Sequence, residues 1–379
     1  MKIIFICGSL ENGKDGVGDY TRRLAGQIIR LGHQAYIIGI MDKCINEPKE
    51  EIQNDHNTSI LTLRLPYSDD LKLNFELVDK WLSDKNPDWL SFQYVPFSYN
   101  SKGLNFGLAE HFKQIAKGKK IHIMFHELWV WKRSNNDFKY WLWGKIQERI
   151  IALFRKKLAP RVVHTHTKFY KYSLEKLGYS VEILPLFSNI TSSVEIEPSS
   201  KMVSLKEKLL KNKKIDFVVF GEIHHGSPID SFSSELAFWS KSNKVSVSIK
   251  FVGKNGNEGL SWKNSCINNG IEVKDLGWQS DETVANILSS ADIGITSTPF
   301  ILTEKSGSVA AMQTFGLPVI CVARNLIVKN SDKTIASQKG VWKYQTGHFA
   351  DYINGITESF YPSAVSLQSV AEQFIFDLH

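Results

Sequence analysis

Short runs of apolar residues recur along the chain, separated by longer stretches whose apolar positions repeat with a helical period. The runs are continuous rather than alternating, which is typical of parallel strands covered on both faces. In the first half the predicted strands are Ile3–Cys7, Ala35–Ile40, Ile60–Leu65, Trp89–Tyr94, Ile121–Phe125, Val162–Thr165 and Val181–Leu184. The stretches between them predict helices near residues 18–31, 70–83, 106–117, 138–157 and 168–177.

A polar stretch, Asn189–Glu207, separates this series from a second one. The second series predicts strands at Ile215–Phe220, Val247–Val252, Ile271–Leu276, Ile293–Ser297 and Leu317–Val322, with helices near 230–241, 281–290 and 305–315. Two such series predict two doubly wound α/β domains with ligand sites at the carboxyl ends of the strands. We place the domains at 1–190 and 191–358. The last segment, 359–379, is expected to form a helix that packs back on the N-terminal domain.

The composition is that of a globular protein. With 379 residues, 42% of them hydrophobic and 22% charged, the chain can bury one or two full cores. The cysteines, at positions 7, 44, 266 and 321, lie far apart, which favours reduced thiols of a cytosolic protein. No run approaches the roughly 18 apolar residues that span a bilayer, and the start lacks a signal-peptide cleavage region, so we expect a structural N-terminus.

Positive charge is concentrated in one part of the chain. The net charge is +7, and residues 101–190 contain 17 Lys and Arg against 6 Asp and Glu. Residues 191–379 contain 18 against 19. A local basic patch predicts a localised anionic partner.

Two glycines, Gly16 and Gly18, lie at the predicted start of the first helix, where backbone N–H groups suit a phosphate. The spacing is not GxGxxG, and the second strand ends in Ile38-Gly39-Ile40, without the acidic residue with which a dehydrogenase binds ribose. A Rossmann dehydrogenase is therefore disfavoured. An ordinary tight strand-to-helix turn remains an alternative.

His126 and Glu127 follow a predicted buried strand, at the edge where open α/β sheets bind ligands. Histidine is the most common proton-transfer residue near neutral pH, although a loop histidine with a capping role would give the same pattern. His122, His164 and His166 raise the alternative of a metal cluster. Their spacing fits no zinc pattern, so we predict no metal.

A third candidate site lies at Thr298–Ser308, between a predicted strand and an apolar helix. Lys305, the hydroxyls of Ser306 and Ser308 and the amides of the helix start are expected to converge on one anion, and a diphosphate fits. The alternative is a capped helix whose charged residues face water.

Several motifs resemble the retaining glycosyltransferases of the GT-B fold, family 4. They are Asp275-Leu276-Gly277-Trp278, Asp281-Glu282, Ala291-Asp292-Ile293-Gly294, Glu304 to Gly307, and Gly316-Leu317-Pro318-Val319-Ile320. The glycine loop, the strand end at His126 and the Leu184-Pro185 linker occupy the expected places. The resemblance implies two facing Rossmann-like domains with an interdomain cleft.

The resemblance also implies residue roles. Catalytic roles fall on His126, beside the transferred sugar, and on Glu304, which matches the first glutamate of the family's Glu-x7-Glu motif and would bind sugar hydroxyls. Donor binding is implied for Gly16, Gly18, Gly221, Trp278, Glu304, Lys305, Ser306, Gly307 and Ser308. Acceptor binding is implied for Asp19, Tyr20, His126 and Glu127.

The chain departs from the family pattern at two points. The second glutamate of the motif, which normally binds ribose, is replaced by Met312, or by Ala311 when aligned from Gly316. The strand end Phe220–Gly226 also lacks the Arg and Lys that the family offers to the diphosphate. We expect Lys305 to supply the missing positive charge.

The segment 128–158 combines tryptophans with lysines and arginines. Trp and Tyr favour the headgroup level of a bilayer, and nearby Lys and Arg are attracted to anionic lipids. Membrane contact is therefore predicted for Trp141, Trp143, Arg155 and Lys156. A helix packed in the first domain with a solvated basic face is the alternative. No nucleic-acid module surrounds the segment, so nucleic acid is not an expected partner.

We therefore expect a cytoplasmic glycosyltransferase of polysaccharide biosynthesis that acts at the inner face of the cell membrane. It would move a sugar from a nucleotide diphosphate sugar to a glycan or lipid-linked acceptor with retention, without a cofactor or a divalent metal. The alternatives are a nucleotide-sugar epimerase of the same fold and a non-catalytic protein that binds sugar nucleotides.

Overall fold

The computed structural model describes residues 1–68, 70–130, 138–191, 198–326, 338–359 and 365–379, and in it the apolar runs form the strands of two sheets. The chain divides into two units. Unit 1 contains Met1–Pro185 and, from the far end of the chain, Leu367–His379. Unit 2 contains Leu186–Leu326 and the described residues between 338 and 366.

The sheet of unit 1 has eight strands in the order β3-β4-β2-β1-β5-β6-β7-β8. They are β1 (Lys2–Cys7), β2 (Gln34–Asp42), β3 (Lys49–Asp55), β4 (Thr58–Pro66), β5 (Trp89–Tyr94), β6 (Lys120–Phe125), β7 (Val162–Thr165) and β8 (Glu182–Ile183). β1 pairs in parallel with both β2 and β5. The strand order thus reverses between β1 and β5, which is the point where open α/β sheets bind ligands.

Helices cover both faces of this sheet. Those in the first part of the chain are α1 (Gly16–Arg30), α2 (Leu71–Lys85), α3 (Pro96–Tyr99), α4 (Leu108–Ala116), α5 (Phe138–Leu158) and α6 (Lys168–Glu175). Because both faces are covered, four consecutive residues of β1, Ile3 to Ile6, are fully buried. This double cover explains why the strands read as continuous apolar runs.

The sheet of unit 2 has six strands in the order β11-β10-β9-β12-β13-β14. They are β9 (Ile215–Phe220), β10 (Val247–Val252), β11 (Glu272–Gly277), β12 (Ile293–Thr296), β13 (Val319–Cys321) and β14 (Val341–Lys343). All the described pairings are parallel, and the order reverses between β9 and β12. This is the strand order of the dinucleotide-binding Rossmann fold.

The helices of unit 2 complete the double winding. They are α7 (Pro198–Leu210), α8 (Ile229–Asn243), α9 (Glu258–Asn268), α10 (Asp281–Ser290), α11 (Gly307–Thr314) and α12 (Phe349–Ser359), and a 3-10 helix (Phe300–Lys305) precedes α11. Alternate residues of β9 belong to the two cores on opposite faces, Phe217 and Val219 to one and Val218 to the other.

The last helix, α13 (Leu367–Leu378), lies in unit 1. Its Phe374 is fully buried and its ring stacks on that of Phe5 with centroids 5.7 Å apart. Gln373 Nε2 donates a hydrogen bond of 3.1 Å to the carbonyl oxygen of Ile183. Residues from both ends of the chain therefore share one core.

The predicted α/β class with two mainly parallel sheets is confirmed. The prediction missed β3, which is polar because it is an edge strand, antiparallel to β4. It also missed α9, α12 and β14, and it treated as a linker the polar stretch in which α7 forms. All four cysteines are free thiols, three buried and Cys44 exposed.

Candidate functional site

The strand reversal of unit 2 brings the end of β9 next to the start of α11. Gly221, which follows β9, has a φ of +92°, a conformation that favours glycine. A Cβ built on it would lie 3.5 Å from Cβ of Ser308. Two of the predicted donor-binding residues are therefore neighbours at the carboxyl edge of the sheet.

Three hydroxyl groups gather at the start of α11. Ser306 is the N-cap, and its Oγ accepts a hydrogen bond of 3.4 Å from the amide of Val309. The same Oγ lies 3.2 Å from Thr298 Oγ1 and 3.1 Å from Ser308 Oγ. We call Thr298, Ser306 and Ser308 the hydroxyl cluster.

The approach to this helix start is open and electropositive. Gly307 is the first residue of α11, and nothing lies within 4 Å of the position that its Cβ would take. The first amides of a helix have no acceptor within it and carry a partial positive charge. The start is two residues later than predicted, so Glu304 and Lys305 lie in the preceding 3-10 helix.

Two cations lie near this site. Burial lowers the pKa of His224, and the positive charges of Lys305 and Arg324 act in the same direction, while Glu222 opposes them. The side chain of Arg324 passes close to the loop after β9, with its Cδ 3.5 Å from the Cβ position of Gly226.

Lys305 was the only source of positive charge predicted here, and Arg324 adds a second cation. The residue follows β13 by three positions, at the same sheet edge as the ends of β9 and β12. Applying the strand-end rule to the last predicted strand, Leu317–Val322, would have found it.

Trp278 is further away. It follows β11, and β10 lies between β11 and β9 in the sheet. Its side chain is 72% exposed. The structure therefore brings Trp278 to the correct sheet edge but not into the hydroxyl cluster.

At the strand reversal of unit 1, a pocket of about 260 Å³ opens beside the ends of β1 and β2. It is lined by Gly8, Ser9, Glu11, Lys14, Asp15, Met41, Lys43, Cys44, Phe97 and Ser98. Asp15 is the N-cap of α1, and its Oδ1 accepts hydrogen bonds from the amides of Val17 (2.9 Å) and Gly18 (2.8 Å). The anion that this helix start attracts is thus the carboxylate of Asp15.

The predicted residues of the glycine loop have different surroundings. A Cβ on Gly18 would lie 2.5 Å from the carbonyl oxygen of Ser9, whereas Gly16 has open space around it. Asp19 is engaged within the unit, because its Oδ1 lies 2.7 Å from Arg22 Nη1 and accepts from the amide of Gly13. The glycine at position 18 is therefore needed for the close approach of α1 to the loop after β1.

His126 follows β6 directly, and its ring is buried. Its Nε2 lies 2.8 Å from Gln93 Oε1, and its Nδ1 lies 3.0 Å from His166 Nε2. The edge of the Tyr20 ring contacts His126 with centroids 5.0 Å apart. The structure therefore places Tyr20 against His126 and adds two contacts. One is with Gln93, which the sequence did not single out, and the other is with His166, which was considered only as an alternative metal ligand. Glu127 is half-buried beside them.

Each histidine considered as an alternative metal ligand is paired with another histidine. His122 Nε2 lies 3.0 Å from His164 Nδ1, and His166 pairs with His126. In the part of the chain that the structure describes, no three His, Cys, Asp or Glu side chains group as metal ligands would.

Helix α5 has one packed face and one exposed face. Ile150, Ile151 and Phe154 are buried, while Trp141 is 42% exposed. Trp143 is half-buried, and its Nε1 donates to the carbonyl oxygen of Lys102 at 2.7 Å.

Arg155 and Lys156 are exposed on the last turns of α5. Residues 131–137 of the basic aromatic segment lie outside the described part of the chain. Among the described helices, none combines the length and the hydropathy needed to span a bilayer.

Comparisons with known proteins give a fold. No family model matches the sequence. No curated protein matches it. The matching structures include HepE of Anabaena in complex with UDP, which is 14% identical, with 98% of this chain and 95% of that chain covered and a TM-score of 0.57.

Two further structures match over nearly the whole chain. WaaG, a glycosyltransferase involved in lipopolysaccharide biosynthesis, is 13% identical, with 98% of both chains covered and a TM-score of 0.55. A putative UDP-N-acetylglucosamine 2-epimerase from Listeria monocytogenes is 10% identical, with 99% of this chain and 94% of that chain covered and a TM-score of 0.52. The resemblance found in the motifs is confirmed at the level of the fold: the chain has the GT-B fold of these glycosyltransferases and epimerases.

Proposed function

We propose that the protein is a glycosyltransferase that moves a sugar from a nucleotide diphosphate sugar to an acceptor, without a divalent metal. The observation that carries the proposal is the hydroxyl cluster at the open start of α11, with Lys305 and Arg324 near the same sheet edge. A diphosphate leaving group gains negative charge as the glycosidic bond breaks. Fixed amides, hydroxyls and cations stabilise that charge without reorganising.

In this proposal the phosphates are bound by the amides of Gly307 and Ser308, the hydroxyl cluster and the two cations. Gly221 lets the phosphates approach the end of β9, because it carries no side chain. The nucleotide base would extend towards the backbone at Trp278. For Gly16 and Gly18 we propose only that they let the ligand approach the backbone closely. The amide of Gly18 is not assigned to the phosphates, since it already donates to Asp15.

Glu304 would hydrogen-bond the hydroxyls of the transferred sugar from its position just before Lys305. His126 would lie beside the same sugar, with Tyr20 and Glu127 nearby to meet the acceptor. Asp19 would contribute to acceptor binding while it remains paired with Arg22. The resemblance to family 4 favours retention of the anomeric configuration.

The donor is tested by measuring the thermal stability of the protein with UDP, GDP, dTDP and CMP sugars, each with and without EDTA. A ligand that binds the native state at 100 times its Kd stabilises the protein by about 2.7 kcal/mol. We expect one nucleotide class to raise the Tm equally with and without EDTA. Loss of the shift in EDTA would contradict the metal-independent mechanism, and no shift with any donor would contradict the proposal.

The acceptor is proposed to be a glycan or lipid-linked precursor of a polysaccharide, met at the inner face of the cell membrane. The support is the exposed face of α5, which combines Trp141 with the cations Arg155 and Lys156. Each cation near an anionic surface contributes about 1 kcal/mol.

Sedimentation with vesicles tests this contact. A variant that combines Trp141→Ala, Trp143→Ala, Arg155→Gln and Lys156→Gln should bind vesicles of phosphatidylglycerol at least about tenfold more weakly. Exposed cations of unit 2, Lys241 and Lys244 changed to Gln, provide the control. Equal sedimentation of all three proteins would contradict membrane contact.

A nucleotide-sugar epimerase is the second candidate, since a putative UDP-N-acetylglucosamine 2-epimerase shares the fold. The two reactions differ in their need for an acceptor. Consumption of the donor without acceptor, giving a nucleotide sugar of inverted configuration, would establish the epimerase. Binding of donor without either reaction would identify a non-catalytic sugar-nucleotide-binding protein.

A further inference from the structure

Six buried polar side chains form a row across one face of the unit 1 sheet. Residues two apart on a strand point to the same face, which places Ser91 with Gln93 and His164 with His166. The row consists of Ser91, Gln93, His122, His126, His164 and His166, and all six are buried. Helices α1 and α13 lie on this face, because Tyr20 contacts His126 and Phe374 contacts His122. We call the row the histidine ladder.

One half of the ladder runs to the C-terminal helix. Gln93 Nε2 donates to Ser91 Oγ at 2.7 Å, and Ser91 Oγ lies 2.8 Å from His122 Nδ1. His122 Nε2 lies 3.0 Å from His164 Nδ1, and His164 Nε2 lies 2.9 Å from Asp377 Oδ2. This half ends at a carboxylate, which accepts hydrogen bonds when it is ionised.

The other half runs along the strand ends. Gln93 Oε1 lies 2.8 Å from His126 Nε2, and His126 Nδ1 lies 3.0 Å from His166 Nε2. His166 Nδ1 lies 2.9 Å from the carbonyl oxygen of Leu184. A carbonyl oxygen can only accept, so this half also ends at an acceptor.

The two acceptor ends fix the number of protons in the ladder. Seven contacts need seven hydrogens. Gln93 supplies one to its single donor contact and Ser91 supplies one, which leaves five for the four imidazole rings. A neutral imidazole carries one hydrogen on its two nitrogens. With Asp377 ionised, one ring must therefore hold a second proton.

The Gln93 amide determines where that proton lies. With Nε2 towards Ser91, each group donates to the next as far as Asp377, and His122 and His164 are satisfied as neutral rings. The hydrogen that is still needed then belongs to the contact between His126 and His166. Turning the amide by 180° would reverse the donors between His122 and His166, leave the contacts with Asp377 and Leu184 unchanged, and move the extra proton to the contact between His122 and His164.

We infer that His126 and His166 share one proton as a buried imidazole–imidazolium pair, in which Gln93 and His166 are positioning residues that hold His126 Nε2 as a donor. The inference deepens the proposed function and rests on it where it concerns the sugar donor. It makes His126, which is proposed to act on the transferred sugar, part of a cation. Such a cation would attract an electronegative oxygen of the ligand. A ligand oxygen that accepts a hydrogen bond from His126 Nε2 would replace Gln93 Oε1 as the acceptor.

The groups around the pair fit this assignment. Burial raises the pKa of Tyr20, so the ring that α1 packs against the pair stays neutral. Burial also lowers the pKa of His122 on β6, and the neighbouring His164 and His126 lower it further, which agrees with a neutral His122. Other titratable groups near the ladder, among the residues that the structure describes, are Glu127, half-buried next to His126, His164, on β7, and Asp377, which α13 contributes at the far end of the ladder.

The test is nitrogen NMR of the ligand-free protein labelled with 15N on its histidine rings. A neutral ring gives one protonated and one bare nitrogen, and a cationic ring gives two protonated nitrogens. Spectra of His126→Gln and His166→Gln assign the signals. Near pH 7.5, above the ordinary histidine pKa of about 6.5, we expect three protonated nitrogens on the pair and neutral His122 and His164.

Two matched histidine variants test whether the extra proton belongs to the pair of His126 and His166. His166→Gln should return His126 to a neutral ring, while the matched change His164→Gln, on the same buried face, should leave the pair signals unchanged. Two neutral rings at 126 and 166, or the extra proton on His164, would overturn the inference whether or not the protein transfers sugars. In the transferase assay His166→Gln should then lower kcat at least about tenfold with little change in KM, and should shift its pH profile.

Discussion

The two units present the same structural element with opposite electrostatics. Each places a helix start at the reversal of a parallel sheet, α1 in unit 1 and α11 in unit 2. The cap of α1 is the carboxylate of Asp15, whereas the cap of α11 is the neutral hydroxyl of Ser306. A helix start therefore becomes a phosphate site only if its cap leaves the positive end uncompensated.

The largest expected effect comes from giving α11 the type of cap found in α1. Ser306→Asp keeps a good N-cap but places a carboxylate at the proposed site of the donor diphosphate. Two like charges about 4 Å apart repel by about 4 kcal/mol at an effective dielectric constant of 20. We expect the donor Kd to rise at least about 100-fold in calorimetry.

Ser306→Asn is the control for this change, because it caps the helix without a charge. Its donor Kd should stay within about tenfold of the wild-type value. Equal affinity of Ser306→Asp and the wild-type protein would contradict the assignment of α11 as the phosphate site.

The next effect concerns the stability of the unit 1 helix start. Gly18→Ala forces a Cβ against the carbonyl oxygen of Ser9, so it should destabilise the protein by about 1–3 kcal/mol. Gly16→Ala meets open space and should change the free energy of unfolding by no more than about 1 kcal/mol. Denaturant unfolding measures both, and equal destabilisation by the two changes would contradict the close approach of α1 to the loop after β1.

A smaller effect is expected from each of the two cations near α11, Lys305 and Arg324. Lys305→Ala and Arg324→Ala should each raise the donor KM or lower kcat at least about tenfold, which corresponds to about 1.4 kcal/mol. Lys241→Ala, an exposed cation on α8, is the control and should leave the kinetics unchanged. Near-normal kinetics for Lys305→Ala or Arg324→Ala would remove that residue from the phosphate site.

The smallest effect is a pH dependence at the cap of α1. Burial raises the pKa of Asp15, although the amides of Val17 and Gly18 act against it. A carboxyl group whose pKa is raised on folding destabilises the native state above that pKa, and the destabilisation is lost as the pH falls through it. Asp15→Asn should therefore raise the Tm at pH 7, with the difference shrinking in acid. A Tm difference that is independent of pH would contradict the raised pKa.

The fold could be predicted because its strands are buried on both faces. Ile215–Phe220 and Val247–Val252 were predicted with their observed bounds, since burial on both faces makes a strand a continuous apolar run. β3 was missed because it is a polar edge strand. α7 was missed because its amphipathic pattern lies in a stretch that is polar overall.

The candidate site was predictable only where it is local in sequence. Ser306 and Ser308 follow a strand and begin a helix, so their meeting could be expected from spacing alone. Arg324 joins them through the order of the sheet. Gln93 and His166 contact His126 across separate strands, and that pairing depends on register, which the apolar pattern of each strand does not encode.

The arrival of α13 from the far end of the chain has a consequence for biosynthesis. Phe374 covers Phe5, yet roughly 180 residues lie between Pro185 and Leu367, the two segments of unit 1. At about 5–20 residues per second, a ribosome needs roughly 10–40 s to make them. During that interval Phe5 lacks the cover that Phe374 provides, while unit 2 is synthesised. Unit 1 is thus expected to complete its fold only after unit 2 has been synthesised. Until then we expect its N-terminal segment to bind chaperones.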